Sequence, residues 1–345
     1  GGTVALTVGS WDKRRAMVDM NVPMTADGSV RARIVASGED SESFREREDI
    51  QRLAGLANLE ADLGESTLLN VGVQYEKTRN GGGSWGSNVP IWYADGSRTD
   101  LARSTNPAAD WSVAKRDATT VFASVEQRLG AEWTLRAAAS HGSGESFTNY
   151  GVVKVNNAAR GQGFAGFWNQ DGTGGFLNAI HNESESRRDN LDISVKGPLQ
   201  LFGRTHQLMA GFNGYRDELT DYTFSAALGN CSIAGVAPWS GCQYRAVGLP
   251  IDNWQTWDGS YAGYETHRTH ARTKTITTSQ GGYVAGRFNL ADPLALVAGT
   301  RISNYKTYSQ TYTVTNARTR GPGSGDLQVV TPYAGLVYDF ARQDR

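Results

Sequence analysis

Trp85, Trp92, Tyr93 and Trp111 fall within one stretch of this chain, with Arg98, Arg103 and Asp110 between them. Rings with a polar tip beside guanidinium groups suit capture of a flat, partly anionic or aromatic ligand. The plain alternative is that the rings pack a small core of the loop itself. For any single ring that alternative is preferred; for the stretch as a whole, ligand contact is expected. A second aromatic group, Trp239, Tyr244, Trp254, Trp257, Tyr261 and Tyr264, surrounds Cys231 and Cys242. Two Cys this close in a long segment of an exported protein predict one disulfide that staples it. A zinc site would need two further ligands, and His267 and His270 stand at a poor spacing for it. Asp171-Gly172 resembles a scrap of a calcium loop without its other carboxylates, and reads as a turn. No metal site is therefore expected.

Catalytic signatures are missing. There is no Gly-x-Ser-x-Gly elbow, no His-Glu-x-x-His, no phosphate loop and no dinucleotide fingerprint. No pair of carboxylates is singled out, so no catalytic residue is assigned and an enzyme is not expected. The 34 Lys and Arg against 35 Asp and Glu leave a net charge of −1, without the basic stripe that nucleic acid requires.

The elements that would hold these residues read as strands. Apolar residues recur at every second position: Val4, Leu6, Val8; Ala16, Val18, Met20, Val22; Val30, Ala32, Ile34, Ala36; Leu69, Val71, Val73, Tyr75. The same period marks Val121–Val125, Trp133–Ala137, Leu191–Val195, Leu208–Phe212, Val284–Leu290, Leu294–Ile302 and Val330–Phe340. Gln51–Leu63 also fits a helical face, but its neighbours favour the strand. About twelve strands result. No window approaches about 18 uncharged apolar residues, so a spanning helix is excluded; a spanning strand needs only about 9–11 residues, alternately apolar. The mean hydropathy of −0.46 is compatible with that alternation. No signal-peptide pattern precedes Gly1, which predicts either its removal or a piece of a longer chain.

The second face of each strand carries isolated charges, as at Arg15, Asp19, Arg33, Glu60, Arg136 and Arg301. Ring residues at strand ends, Trp133, Phe288, Tyr338 and Phe340, match an interfacial girdle. Connections alternate in length. Short ones lie at Pro23–Ser29, Gly64–Thr67, Leu129–Glu132, Pro198–Thr205 and Ala291–Pro293; long ones at about Asn80–Arg116, Tyr150–Arg188, Thr220–His270 and Tyr312–Leu327. Short turns on one side and long loops on the other predict an all-β, antiparallel transmembrane barrel in an outer membrane, with lipid as its partner. A soluble sandwich also alternates and is the competing architecture.

Three segments carry a family resemblance: GSWDKRRAMVDMNVPM (Gly9–Met24), VRARIVASGEDSESF (Val30–Phe44) and SWGSNVPIWYADGSRTDLARSTNPAADW (Ser84–Trp111). They resemble TonB-dependent ferric-siderophore receptors of the hydroxamate and pyoverdine-type subgroup. The resemblance implies a ferric siderophore as transported ligand, no resident cofactor, bacterial outer-membrane localisation, and a TonB energy-coupling protein as partner. It also implies a barrel of about 22 strands around an N-terminal plug. Neither the plug nor a final strand ending in an aromatic stands in this sequence. The expectation is therefore that residues 1–345 form the N-terminal part of the barrel, with coupling through the plug region outside them. Trp85, Trp92, Tyr93 and Trp111 are the expected ligand contacts, with Arg103 toward ligand oxygens. Inward charges would meet plug or water. The rival functions are a passive porin-like channel and a soluble β-rich carbohydrate-binding module. An even number of strands permits closure; an open half-barrel would leave two exposed edges.

Overall fold

A computed structural model describes residues 1–83, 89, 91–93, 95–130, 132–155, 169–173, 175–226, 249–260, 267–313, 318–320 and 325–340. Among these there is no helix. In chain order the strands are β1 (Gly2–Gly9), β2 (Lys13–Pro23), β3 (Val30–Glu42), β4 (Asp49–Leu63), β5 (Thr67–Gly81), β6 (Val113–Arg128), β7 (Thr134–Val155), β8 (Gly175–Leu201), β9 (Arg204–Ala226), β10 (Leu249–Ile251), β11 (His267–Ala291), β12 (Leu294–Thr313), β13 (Arg318–Arg320) and β14 (Gly325–Tyr338). Twelve are long; β10 and β13 are three-residue pieces beside the long loops. Each long strand pairs antiparallel with its sequence neighbour, and β13 and β14 both lie against β12. The order is a meander without a crossover, as the alternation predicts. The segment with two readings, Gln51–Leu63, is strand β4.

The two faces differ as the period-2 pattern requires. One carries Val4, Leu6, Val8, Ile34, Leu53, Val121, Ile302 and Leu336, all well exposed, with Leu6 at 79%. Each would gain roughly 1.5–3 kcal/mol by leaving water, and among the described residues no layer covers them. The other face is laced with cross-strand ion pairs. Arg33 binds Asp19 through two nitrogens at 3.0 and 2.8 Å. Arg31 reaches Glu60 at 2.8 Å and Asp62 at 2.7 Å. Arg301 donates to Asn213 and Ser303. Arg136 borders a hollow of about 650 Å³ on this face, together with Asn70, Ser124, Asn190 and Asp192.

Two expectations change. The strands overrun the predicted boundaries: β8 begins at Gly175, inside the expected Tyr150–Arg188 link, and β9 continues to Ala226 while β11 starts at His267. The hydrogen-bonded ladder continues where the apolar alternation has ended. At the opposite end β8 runs to Leu201, so the expected Pro198–Thr205 connection is a two-residue turn, Phe202–Gly203, with φ of 51° and 72°. Both φ values suit a type I′ hairpin turn. As expected of a partial barrel, among the described residues β1 pairs only with β2 and β14 only with β12, so the sheet is open.

Candidate functional site

At one end of the sheet the described parts of three long connections, within 82–112, 169–173 and 249–260, pack together. The loop of residues 82–112 leaves β5 through Gly82, whose φ is +64°. A Cβ there would lie 1.8 Å from the Arg47 carbonyl oxygen, so only glycine fits. Residues 107–109 then run alongside the outer end of β7. Ala109 N–H donates to Gly151 O at 2.8 Å, Val153 N–H donates to Pro107 O at 2.9 Å, and Ala108 bridges Val152.

Asn106 holds the base of this loop. It is 4% exposed. Its amide nitrogen donates to Glu46 O at 2.7 Å and Gly82 O at 2.9 Å, and its Oδ1 accepts from Ala108 N–H and Arg45 Nη2. Arg47 donates to the carbonyls of Asn106 and Ala108. Two parts of the chain, 43–48 and 82–112, are thereby joined.

An apolar cluster lies above this base. Ala109, Val153, Leu177, Ile251 and Trp254 are buried, with Tyr93, Leu101, Trp111, Ile180 and Trp257 packed around them. β10 brings Ile251 and Trp254 in by pairing with the first residues of β8. Trp254 N–H donates to Gly172 O, and Asp110 N–H to Gly259 O. A small hairpin stands over the cluster, closed by Tyr93 N–H to Ser97 O at 2.8 Å and Thr99 N–H to Ile91 O at 2.8 Å. Its tip is held by Asp95, which accepts from the Ser97 N–H and hydroxyl; these bonds lower the Asp95 pKa. Gln170 Nε2 donates to Asp95 and Ser97, both at 2.8 Å, pinning the hairpin to the next loop.

The expected ligand residues thus divide. Trp92 stands on the hairpin, 49% exposed beside the exposed Ile91, and its backbone bridges that of Arg98. Arg98 is exposed and has no hydrogen-bond or ion-pair partner among the described residues. Tyr93 and Trp111 pack on the apolar cluster. Arg103 lies over the Phe44 ring at 4.7 Å, and Phe44 meets Trp11 edge-on at 6.2 Å. Trp85, Cys231 and Cys242 lie outside the described residues, as do Trp239, Tyr244, Tyr261 and Tyr264. Sequence reasoning singled out neither Asn106 nor Arg47. The Asn106-Pro107 pair marks a turn, but nothing local signals which carbonyls it will meet. Among the described residues no group of three or more His, Cys, Asp or Glu is placed to hold a metal.

An open meander with an apolar outer face, short turns at one end and a packed aromatic cap at the other matches one class of known protein. The model for the family described as TonB dependent receptor-like, beta-barrel, matches residues 58–343. This chain belongs to that family. The TonB-dependent barrel is 30% identical over 338 residues to the ferric-pyoverdine BN7/BN8 receptor of Pseudomonas putida, covering 96% of this chain and 38% of the relative. It is 29% identical over 342 residues to the ferripyoverdine receptor of Pseudomonas aeruginosa, covering 98% of this chain and 37% of the relative. The crystal structure of the ferripyoverdine receptor of the outer membrane of P. aeruginosa, bound to ferripyoverdine, is similar with a TM-score of 0.76 at 26% identity. That likeness covers 99% of this chain and 40% of the other. The chain therefore spans about two fifths of the length of these relatives. Members of this family are outer-membrane β-barrels and are receptors and transporters, not enzymes. The relatives favour neither the passive channel nor the soluble module.

Proposed function

We propose that this TonB-dependent barrel segment forms the N-terminal part of the wall of an outer-membrane receptor for a ferric siderophore of the pyoverdine or hydroxamate class. Capture occurs at the loop end. Uptake is driven by a TonB energy-coupling protein acting through a plug that belongs to the whole receptor. The observation that carries this reading is the pinned hairpin that offers Trp92 beside Arg98, on a chain related along its length to ferric-pyoverdine receptors. A Trp face can stack on a planar aromatic group, and Arg can bind anionic oxygens with charge-assisted hydrogen bonds. No covalent chemistry is needed. Tyr93 and Trp111 act by holding the hairpin, and Arg103 by fixing the Phe44 loop beneath it.

The test is titration of the full-length receptor in detergent with ferric pyoverdine and with a ferric trihydroxamate, followed by fluorescence quenching. Trp92→Ala is expected to weaken binding of the cognate ligand roughly tenfold or more. Unchanged affinity in both Trp92→Ala and Arg98→Ala would remove the hairpin from the ligand site.

A further inference from the structure

The lumen-facing side of the wall carries a row of charge near the loop end. Strand register places Arg15, Glu39, Arg52, Thr78, Arg116 and Ser146 opposite one another from β2 to β7. They share the face of the Asp19–Arg33 pair. The outward neighbours of Arg116 are Lys115 and Asp117, and the apolar run of β6 begins only at Val121. The row therefore lies beyond the lipid-facing band, at the mouth of the lumen on the long-loop side. β6 starts at Val113, so Arg116 stands close to the aromatic cap that the preceding loop builds.

The charges at this level do not cancel. Glu39 has Lys13 at 3.4 Å and Arg52 at 3.3 Å. Glu76, one step deeper on β5, accepts from Gln74 Nε2 at 2.6 Å. Against these two carboxylates stand Lys13, Arg15, Arg52 and Arg116. The next carboxylate along the row, Asp221 on β9, is three strands from Arg116, about 14 Å along the sheet. In the loop beside the row, Glu48 is held by Arg45 at 3.7 Å. Arg116 is exposed and has no hydrogen-bond or ion-pair partner among the described residues. Its same-face neighbours on β6 are Ala114 and Ala118, and Gly144 and Ser146 stand beside it on β7. These small, uncharged residues leave the guanidinium open to a group entering from the loop end.

We infer that Arg116 is a specificity-determining contact, which binds anionic oxygens of the captured chelate and selects ferric complexes of net negative charge over neutral ones. The inference rests on the proposed siderophore reading and adds the charge of the ligand to it. Three hydroxamates neutralise ferric iron, so a trihydroxamate complex carries no net charge. Exchanging one of them for a catecholate dianion leaves the complex negative, with that charge spread over its oxygens. A guanidinium offers such oxygens charge-assisted, parallel hydrogen bonds, and a neutral chelate gains less from it. Arg98 comes from the cap hairpin and Arg116 from the barrel wall, so two separate elements present cations to the same ligand. The surplus positive charge of the mouth also attracts anions over a distance, an effect independent of which cation supplies it. A contact depends on position, which makes the two separable.

The test titrates the full-length receptor in detergent with ferric pyoverdine, a complex with a catecholate among its donors, and follows quenching of Trp fluorescence. Arg116→Gln is expected to raise Kd about tenfold. Arg15→Gln removes the same charge from the same row four strands away, about 19 Å along the sheet, and is expected to bind as wild type. Ser146→Asp sets a carboxylate directly opposite Arg116 to engage its guanidinium, and is expected to raise Kd in the same direction. Heat-modifiable gel mobility reports folding, and Ser146→Asp decides if Arg116→Gln does not fold. Wild-type affinity in the folded Arg116 and Ser146 variants would overturn the inference. So would equal losses in Arg15→Gln and Arg116→Gln, since the field of the mouth and not a contact would then set affinity. Ferrichrome, a neutral ferric trihydroxamate, separates this inference from the reading beneath it. A wild-type receptor that prefers ferrichrome to ferric pyoverdine would refute the selection of anions and leave the siderophore reading standing. A wild-type receptor that binds neither would sink that reading, and this inference with it.

Discussion

Trp92 and Trp111 are the same residue type in the same loop, yet their surroundings give them different work. Trp92 is about half exposed on a hairpin, while Trp111 packs on the apolar cluster and its ring lies over Gly151. Sequence spacing could not separate them, because exposure depends on Val153, Leu177 and Ile251 arriving from distant parts of the chain. Asn106 shows the same limit more sharply. Its side chain satisfies two buried carbonyls and accepts two hydrogen bonds. Asn106→Ala would leave the Glu46 and Gly82 carbonyls without these donors, at a cost of about 2–3 kcal/mol. The expected outcome is faster proteolysis within residues 82–112, with the strands still protected. Cleavage at the wild-type rate would show that the Arg47 contacts alone secure the loop.

At the scale of elements, the strands were legible where lipid imposes a pattern. Leu191, Ile193 and Val195 alternate with Asp192 and Ser194, the pattern that a strand with one face on hydrocarbon requires. On the outer extension of β8, His181 through Glu185 are polar on both faces, so this stretch lacks that signal and reads as loop. The turns are legible by chemistry of another kind. Between β2 and β3, Asp27 accepts from the Ser29 N–H at 3.1 Å and its hydroxyl at 2.8 Å, while Thr25 Oγ1 receives the Val30 N–H at 3.0 Å. Hydrogen bonds from the Thr25 and Ser29 side chains, then from the Ser29 backbone, lower the Asp27 pKa to about 2. A lowered folded-state pKa stabilises the turn above the unfolded value of about 3.9. That contribution is lost as the pH falls through about 2. Amide exchange at Ser29 and Val30 is accordingly expected to quicken across this acid window, and the pH dependence to vanish in Asp27→Asn. An acid response that persists in that variant would assign it to another group.

The whole molecule is an open wall. Its buried apolar residues gather mainly in the loop cap, while the apolar residues of the strands stay exposed along one face. This distribution is unstable in water and suited to hydrocarbon. Its edge strands add unpaired backbone groups, β1 with Val4, Leu6 and Val8 exposed and β14 exposed along its length. The chain by itself is expected to remain dispersed in detergent or bilayers and to associate when detergent is removed. Sedimentation in both conditions checks this, and a monodisperse species in plain buffer would contradict the membrane reading of the apolar face.

The sequence by itself determined the architecture: about twelve antiparallel strands, a polar and an apolar face, and short turns opposite long loops. Those follow from the two-residue repeat of the pleat and from the demand of lipid on every second side chain, both local rules. It also pointed to the family through the Gly9–Met24, Val30–Phe44 and Ser84–Trp111 segments. Only the tertiary structure decided that Trp92 is presented while Trp111 and Tyr93 support it, that Arg103 rests on Phe44, and that Asn106 joins loops some sixty residues apart. Such outcomes depend on which non-local groups meet and on strand register, and no local pattern of residues encodes that meeting.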